Sequence, residues 1–208
     1  MLRSVAELER YTVTAIDGDA GSILTFLLDD ARWVVRCLLV QTGAVPGGRR
    51  QVVVPPAGFR EVDALTRRFH VALTREGVRT GPGSALDCLR ADEVRGYHLE
   101  GSDGHLGCVE DAFLDDETWT VRYLVVDTSP WLVGRRVLVA PQWATRVDWA
   151  DRKVSLGVPR QALEAAPVWT AGLRPDRAYE VALHQHHGRP AYWEEERRRA
   201  WPVPLSSG

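Results

Sequence analysis

The chain has 208 residues, 45% of them hydrophobic, with 26 basic and 28 acidic side chains and a formal charge of −2. This balance excludes a disordered or collagen-like chain, and it makes nucleic acid an unlikely partner, because bulk binding to it leaves a basic footprint. The length allows one large domain or two small ones.

No apolar run approaches the roughly 20 residues that span a bilayer, so no transmembrane segment is expected. The opening MLRSVAELERYTV lacks the apolar core of a signal peptide. Cys37, Cys88 and Cys108 are odd in number and widely spaced. Neither a disulfide framework nor a zinc motif fits that spacing. The expectation is a reduced, cytoplasmic protein with no cofactor and no metal.

In chain order, Ser4 to Glu7 fits a helix-opening capping box. A strand over 11–16 runs into the Asp17-Gly18 pair, a hairpin signal because glycine tolerates positive φ. An apolar strand follows from Gly21, and Asp29-Asp30 marks the next turn. Trp33 to Val40 is the most apolar segment. Strict alternation puts Trp33, Val35, Cys37 and Leu39 on one face and Val34, Arg36, Leu38 and Val40 on the other. A glycine-containing loop leads to a strand over 51–54 that ends at proline, and short β-rich segments around 61–64 and 69–73 close the unit.

The chain then repeats itself. Shifted by 86, residues 11–55 align with 97–141 without a gap, and 18 of the 45 positions are identical. Composition alone would give roughly three. Tyr11/Tyr97, Asp17/Asp103, Gly18/Gly104, Asp29/Asp115, Asp30/Asp116, Trp33/Trp119 and Arg36/Arg122 all match. At a shift of 85 the match continues through Val62-Asp63 with Val147-Asp148. A period this long indicates two homologous domains and not a solenoid. The expected division is 1–83, 84–168 and a tail over 169–208, with two small cores related by a pseudo-two-fold. In the tail, Asp176 caps a helix over 177–187 with Ala178, Val181 and Ala182 or Leu183 on its apolar face. Gly188 ends it, and a second short helix covers 194–199.

The motif DG-x-x-G, then DD-x-x-W-x-V-R-x-L, then GRR-x-V-x-V-x-P, present twice, resembles the PRC-barrel domain. The resemblance covers about 80 residues in each copy. It implies a mainly β protein: two tandem small antiparallel PRC-type β-barrels packed together, plus a short helical tail. The family occurs as the cytoplasmic domain of the photosynthetic reaction centre H subunit and as the C-terminal domain of a 16S rRNA processing protein, where it docks and assembles. Neither the membrane helix of the first nor the separate N-terminal barrel of the second is expected from this sequence.

The paired acids read as turn and capping groups, and Trp33 and Trp119 read as core. Arg36 and Arg122 read as buried arginines bonded to a turn carboxylate, and Arg49-Arg50 with Arg135-Arg136 as edge protection. His184 and His187 lie three apart on the tail helix, spacing that offers a metal two ligands, but no nearby cysteine completes a site. No nucleophile elbow, phosphate loop or dinucleotide fingerprint occurs in the sequence. Seven of the eight Trp lie after residue 118, more than one small core accommodates. The surplus either seals the tail onto the barrels or forms a partner or self-association surface, with Trp131, Arg135, Arg136, His184, His187 and Trp193 as candidate contacts. The expected role is a non-enzymatic protein–protein assembly module, with a homodimer among its expected assemblies. The alternatives are a ribosome- or RNA-processing-associated factor and a peripheral accessory of a photosynthetic or membrane complex.

Overall fold

The structure is a computed structural model that describes residues 1–43, 50–83, 88–129 and 135–200, the last three by backbone alone. The first copy contains β1 (Leu2–Ser4), α1 (Val5–Leu8), β2 (Thr12–Ala15), β3 (Gly18–Asp29), β4 (Val34–Thr42), β5 (Gln51–Val54), β6 (Phe59–Asp63), β7 (Arg68–Val71) and α2 (Arg75–Arg79). The second contains β8 (Leu89–Arg90), β9 (His98–Gly101), β10 (Gly104–Asp115), β11 (Thr120–Asp127), β12 (Arg136–Val139), β13 (Ala144–Asp148), β14 (Lys153–Leu156) and α3 (Arg160–Glu164). The tail adds α4 (Arg177–His186) and α5 (Tyr192–Ala200). No helix among the described residues is long and apolar enough to cross a membrane.

The protein is mainly β, and the fourteen strands among the described residues join in one sheet. The ladder runs β13-β14-β9-β10-β11-β4-β3-β2-β7-β6 as an open path, with β12 on β11 and β5 on β4. The order β6-β7-β2-β3-β4-β5 therefore recurs in the second copy as β13-β14-β9-β10-β11-β12. An all-antiparallel arrangement does not hold: β2 pairs β7 in parallel, and β9 pairs β14 in parallel. The cause is a corner. Pro56–Gly58 forms a single 3-10 turn between β5 and β6, and Pro141–Trp143 does the same between β12 and β13. Each corner carries the chain onward without reversing it, so the last strand of the copy returns in the direction of the first.

The copies are interlocked. β1 pairs with β10 of the second copy, and β8 pairs with β3 of the first. Residues related by the 86-residue shift meet each other. Val34 pairs with Thr120, and Glu9 forms an ion pair with Arg95. Around the first contact, the Val35 N–H donates to the Trp119 carbonyl and the Val121 N–H donates to the Trp33 carbonyl, both at 2.8 Å. Such self-pairing places a local pseudo-two-fold axis between the copies. The expectation of two cores is corrected. Among the described residues one apolar cluster extends from Leu2 through both copies to Leu183, beside a small satellite at Leu27, Leu39 and Val53.

The tryptophans explain why the core is single. Trp119 lies against Phe26, Phe59 and Phe69 of the first copy, with ring centroids 4.7 to 6.5 Å apart. Trp33 lies against Tyr97-contacting Trp149 of the second, at 5.8 Å. Each tryptophan fills the core of the other copy. Both adopt left-handed backbone, with φ of 58° and 54°. Their N–H groups reach back to the carbonyls of Asp29 and Asp115, and the Asp29 carboxylate accepts the N–H of Ala31 and Arg32. The same aspartate-to-left-handed spacing of four residues recurs at Asp63/Arg67 and Asp148/Arg152.

A left-handed conformation costs a residue with a Cβ about 1–2 kcal/mol, and truncating a buried tryptophan to alanine costs about 3–5 kcal/mol. Chemical denaturation should therefore show Trp33→Ala destabilised by about 3–5 kcal/mol. Trp33→Gly should recover about 1 kcal/mol of that loss, because glycine accepts the backbone without strain. A glycine variant less stable than the alanine variant would contradict this account of the turn.

Candidate functional site

Alternation fails on β4 and β11 at one residue each. Leu27 pairs with Cys37 but Leu28 with Val35, so Arg36 is the extra residue of a bulge. Arg122 is its counterpart, between Tyr123 and Val121. The bulges put Val35 and Leu38 on the core side together, which strict alternation had separated. Each bulge arginine bonds the turn aspartate of its own copy, Arg36 to Asp29 at 2.7 Å and Arg122 to Asp115 at 3.0 Å. Both aspartates are held below the usual carboxylate range by hydrogen bonds and the adjacent guanidinium, which outweigh the opposing effect of burial. The burial expected of both holds for Arg122, which also meets Glu196 of α5, but not for Arg36, which is solvent-exposed because, among the described residues, no tail helix covers the first copy's bulge. The tail thus covers one of two equivalent arginines. Asp17 and Asp103 accept the N–H groups of Arg75 and Arg160, at the starts of α2 and α3. These are structural roles.

The tail docks through a buried polar cluster. The Tyr123 hydroxyl lies 3.1 Å from Glu180 Oε1 and 3.0 Å from His184 Nε2, and the Tyr192 hydroxyl donates to Glu180 at 2.9 Å. The Arg122 guanidinium stacks on the Tyr192 ring at 3.9 Å. Burial pushes Glu180 up and His184 down, so the cluster favours an uncharged histidine. The buried face of α4 is accordingly Glu180, Leu183 and His184, while Ala178 and Ala182 face solvent. That corrects the apolar-face expectation. Of the expected face Leu183 is buried and Val181 half-buried, but the hydrogen bonds of Glu180 and His184 with Tyr123 turn both alanines to solvent.

The predicted contacts fall into separate places. Trp131 lies outside the described residues, as do Arg49 and Trp201. Arg135 donates to the Ala166 carbonyl and anchors the start of the tail. Arg136 forms an ion pair with Glu110. His184 and His187 both pack on Trp143, at 5.2 and 4.9 Å. Trp193 meets His184 edge to face at 5.4 Å and lies under the Arg177 guanidinium at 4.0 Å. His184 and His187 thus seal the tail on the second copy, and Trp193 packs within the tail itself.

A groove of about 670 Å³ opens where the copies and the tail converge. Asp30, Arg32 and Trp33 come from the first copy, Arg122, Gln142 and Arg146 from the second, and Tyr192, Glu195 and Glu196 from α5. No sequence motif marks it, because its walls come from three distant segments. Sequence reasoning also missed a second cluster. His98, His105 and Cys108 bring their ligand atoms within 4.8 Å of one another on the β9–β10 hairpin. Burial and the neighbouring Asp127 carboxylate push the Cys108 thiol up.

No protein-family model and no curated protein matches the chain.

His187 carries a pH dependence. Burial, then the nearby His186, His184 and Arg189, push it down to about 4. An unfolded histidine titrates near 6.5, so between about 6.5 and 4 the unfolded state binds the extra proton. Stability is full above that window and falls as pH falls through it. Thermal melts at pH 7 and pH 5 should show a larger loss for the wild type than for His187→Phe, which keeps the ring against Trp143. Equal losses in the two proteins would refute the assignment.

Proposed function

We propose that the chain is a non-enzymatic assembly module built from two PRC-type β-barrels, and that it docks a protein partner in the groove between its copies. The observation that carries this reading is the groove itself, because both copies and the tail contribute to it. Its lining supports a protein over a small molecule. Small-ligand pockets are mostly apolar with a few polar groups. This groove alternates carboxylates and guanidiniums from Asp30, Arg32, Arg122, Arg146, Glu195 and Glu196, a pattern that suits the polar rim of a protein interface around the half-buried ring of Tyr192.

The barrel reading is supported by six strands in the same order in each copy and by the proline corner that folds each copy back on its first strand. The strand-exchanged, single-core body is a rigid platform, so the groove is formed before a partner arrives and binding entails little ordering of the chain.

Crosslinking and pull-down from the native host, with light scattering on the purified chain, tests the reading. The wild type is expected to retain a specific protein, or a second copy of itself, that the charge-reversed pair Arg32→Glu, Arg146→Glu loses by tenfold or more. Both substitutions lie on exposed side chains, so folding should be unchanged by circular dichroism. A strictly monomeric wild type with no retrievable partner, or a partner indifferent to the reversal, would overturn it.

A further inference from the structure

β9 and β10 form a hairpin whose inner face is buried by Leu99 and Leu106. The outer face carries His98 and Glu100 on β9, two apart and so on one side of the strand. Across from them, His105 pairs with Glu100 and Cys108 pairs with His98. In a regular strand, residues 105 and 108 would point to opposite faces. A bulge between His105 and Gly107 inserts Leu106 as an extra residue and brings both to the outer face. Gly107 makes this possible. Its φ is 141°, and a Cβ there would collide with the Asp127 carbonyl oxygen.

The separation suits a metal. His98 Nδ1 lies 3.4 Å from Cys108 Sγ. Two tetrahedral ligands at zinc–nitrogen and zinc–sulfur bond lengths stand about 3.5 Å apart. The His105 ring centroid is 5.4 Å from that of His98, and Glu100 Oε1 is 3.7 Å from His105 Nδ1. A carboxylate at the far nitrogen is the usual means of fixing the ring of a metal-bound histidine.

The first copy shows that the fold does not need these residues. Its equivalents of His98, Glu100, His105 and Cys108 are Thr12, Thr14, Asp19 and Ser22. There Asp19 is closed by Arg68 and Thr14 in an ordinary surface ion pair. The same bulge, with Gly21 in place of Gly107, therefore supports a plain polar face in one copy and two imidazoles with a thiol in the other.

We propose that Cys108, His98 and His105 bind one divalent ion of the zinc class, with Glu100 orienting His105 and water in the fourth position. Two nitrogens and one sulfur select a borderline-soft ion over calcium or magnesium, which take oxygen ligands. The open outer face gives the ion a direct path from solvent. The site stands apart from the groove and does not depend on the docking reading.

The test is titration of the reduced, untagged full-length chain with cobalt(II), followed by zinc competition. One equivalent should bind with a near-ultraviolet sulfur-to-cobalt charge-transfer band, and zinc should abolish that band. Cys108→Ser should lose the band. His105→Asn should weaken binding by about tenfold or more. Cys37→Ser should keep both the band and the affinity. Circular dichroism melts establish that each outward-facing variant is folded. Absence of the band in the wild type, its survival in Cys108→Ser, or its loss in Cys37→Ser would each overturn the proposal.

Discussion

Trp33 and Trp119 head β4 and β11 in their own copies and pack into the core of the opposite one. Much of the architecture depends on this exchange. A copy of about 80 residues has too little interior for a strong core. Each gains a large aromatic from its neighbour, and the two interiors become one. Leading strands β1 and β8 cross in the same sense. The left-handed turn that aims each indole is strained, and aspartate hydrogen bonds together with aromatic burial offset the strain. Aromatic contacts of this kind contribute about 0.5–1.5 kcal/mol each beyond their buried area.

Symmetry then makes the departures from symmetry informative. Arg36 and Arg122 occupy equivalent bulges and grip equivalent aspartates, yet only Arg122 is covered by α5 and by the Tyr192 ring. The tail breaks the two-fold by binding one copy through Tyr123, whose counterpart is Cys37. A phenol there reaches Glu180 and His184, and a thiol would not. The β9–β10 face departs in a second way, with His98, His105 and Cys108 replacing Thr12, Asp19 and Ser22. Chemistry that the fold does not demand collects in the second copy.

Much was legible from one chain. The duplication, the strand positions, the capping of α1 by Ser4 and of α4 by Asp176, and the bonding of Arg36 and Arg122 to turn carboxylates follow from local signals. Turn chemistry is carried by residues adjacent in sequence, so reading it needs no knowledge of the remainder. The paired acids are an example: Asp29 and Asp115 cap their own turns within four residues. The His98–His105–Cys108 cluster was not legible. A spacing of three along a strand reads as two faces, and only the bulge at Leu106 makes it one.

Residue order alone therefore established a duplicated, mainly β chain with a helical tail, because periodicity and turn signals are local properties. Folding in three dimensions set which copy each tryptophan fills, which way α4 turns and where the ligating side chains converge. Those outcomes depend on register, on single-residue bulges and on contacts between segments tens of residues apart. A bulge reverses the face of every residue beyond it without leaving a periodic trace, and an exchanged strand looks in sequence like any other.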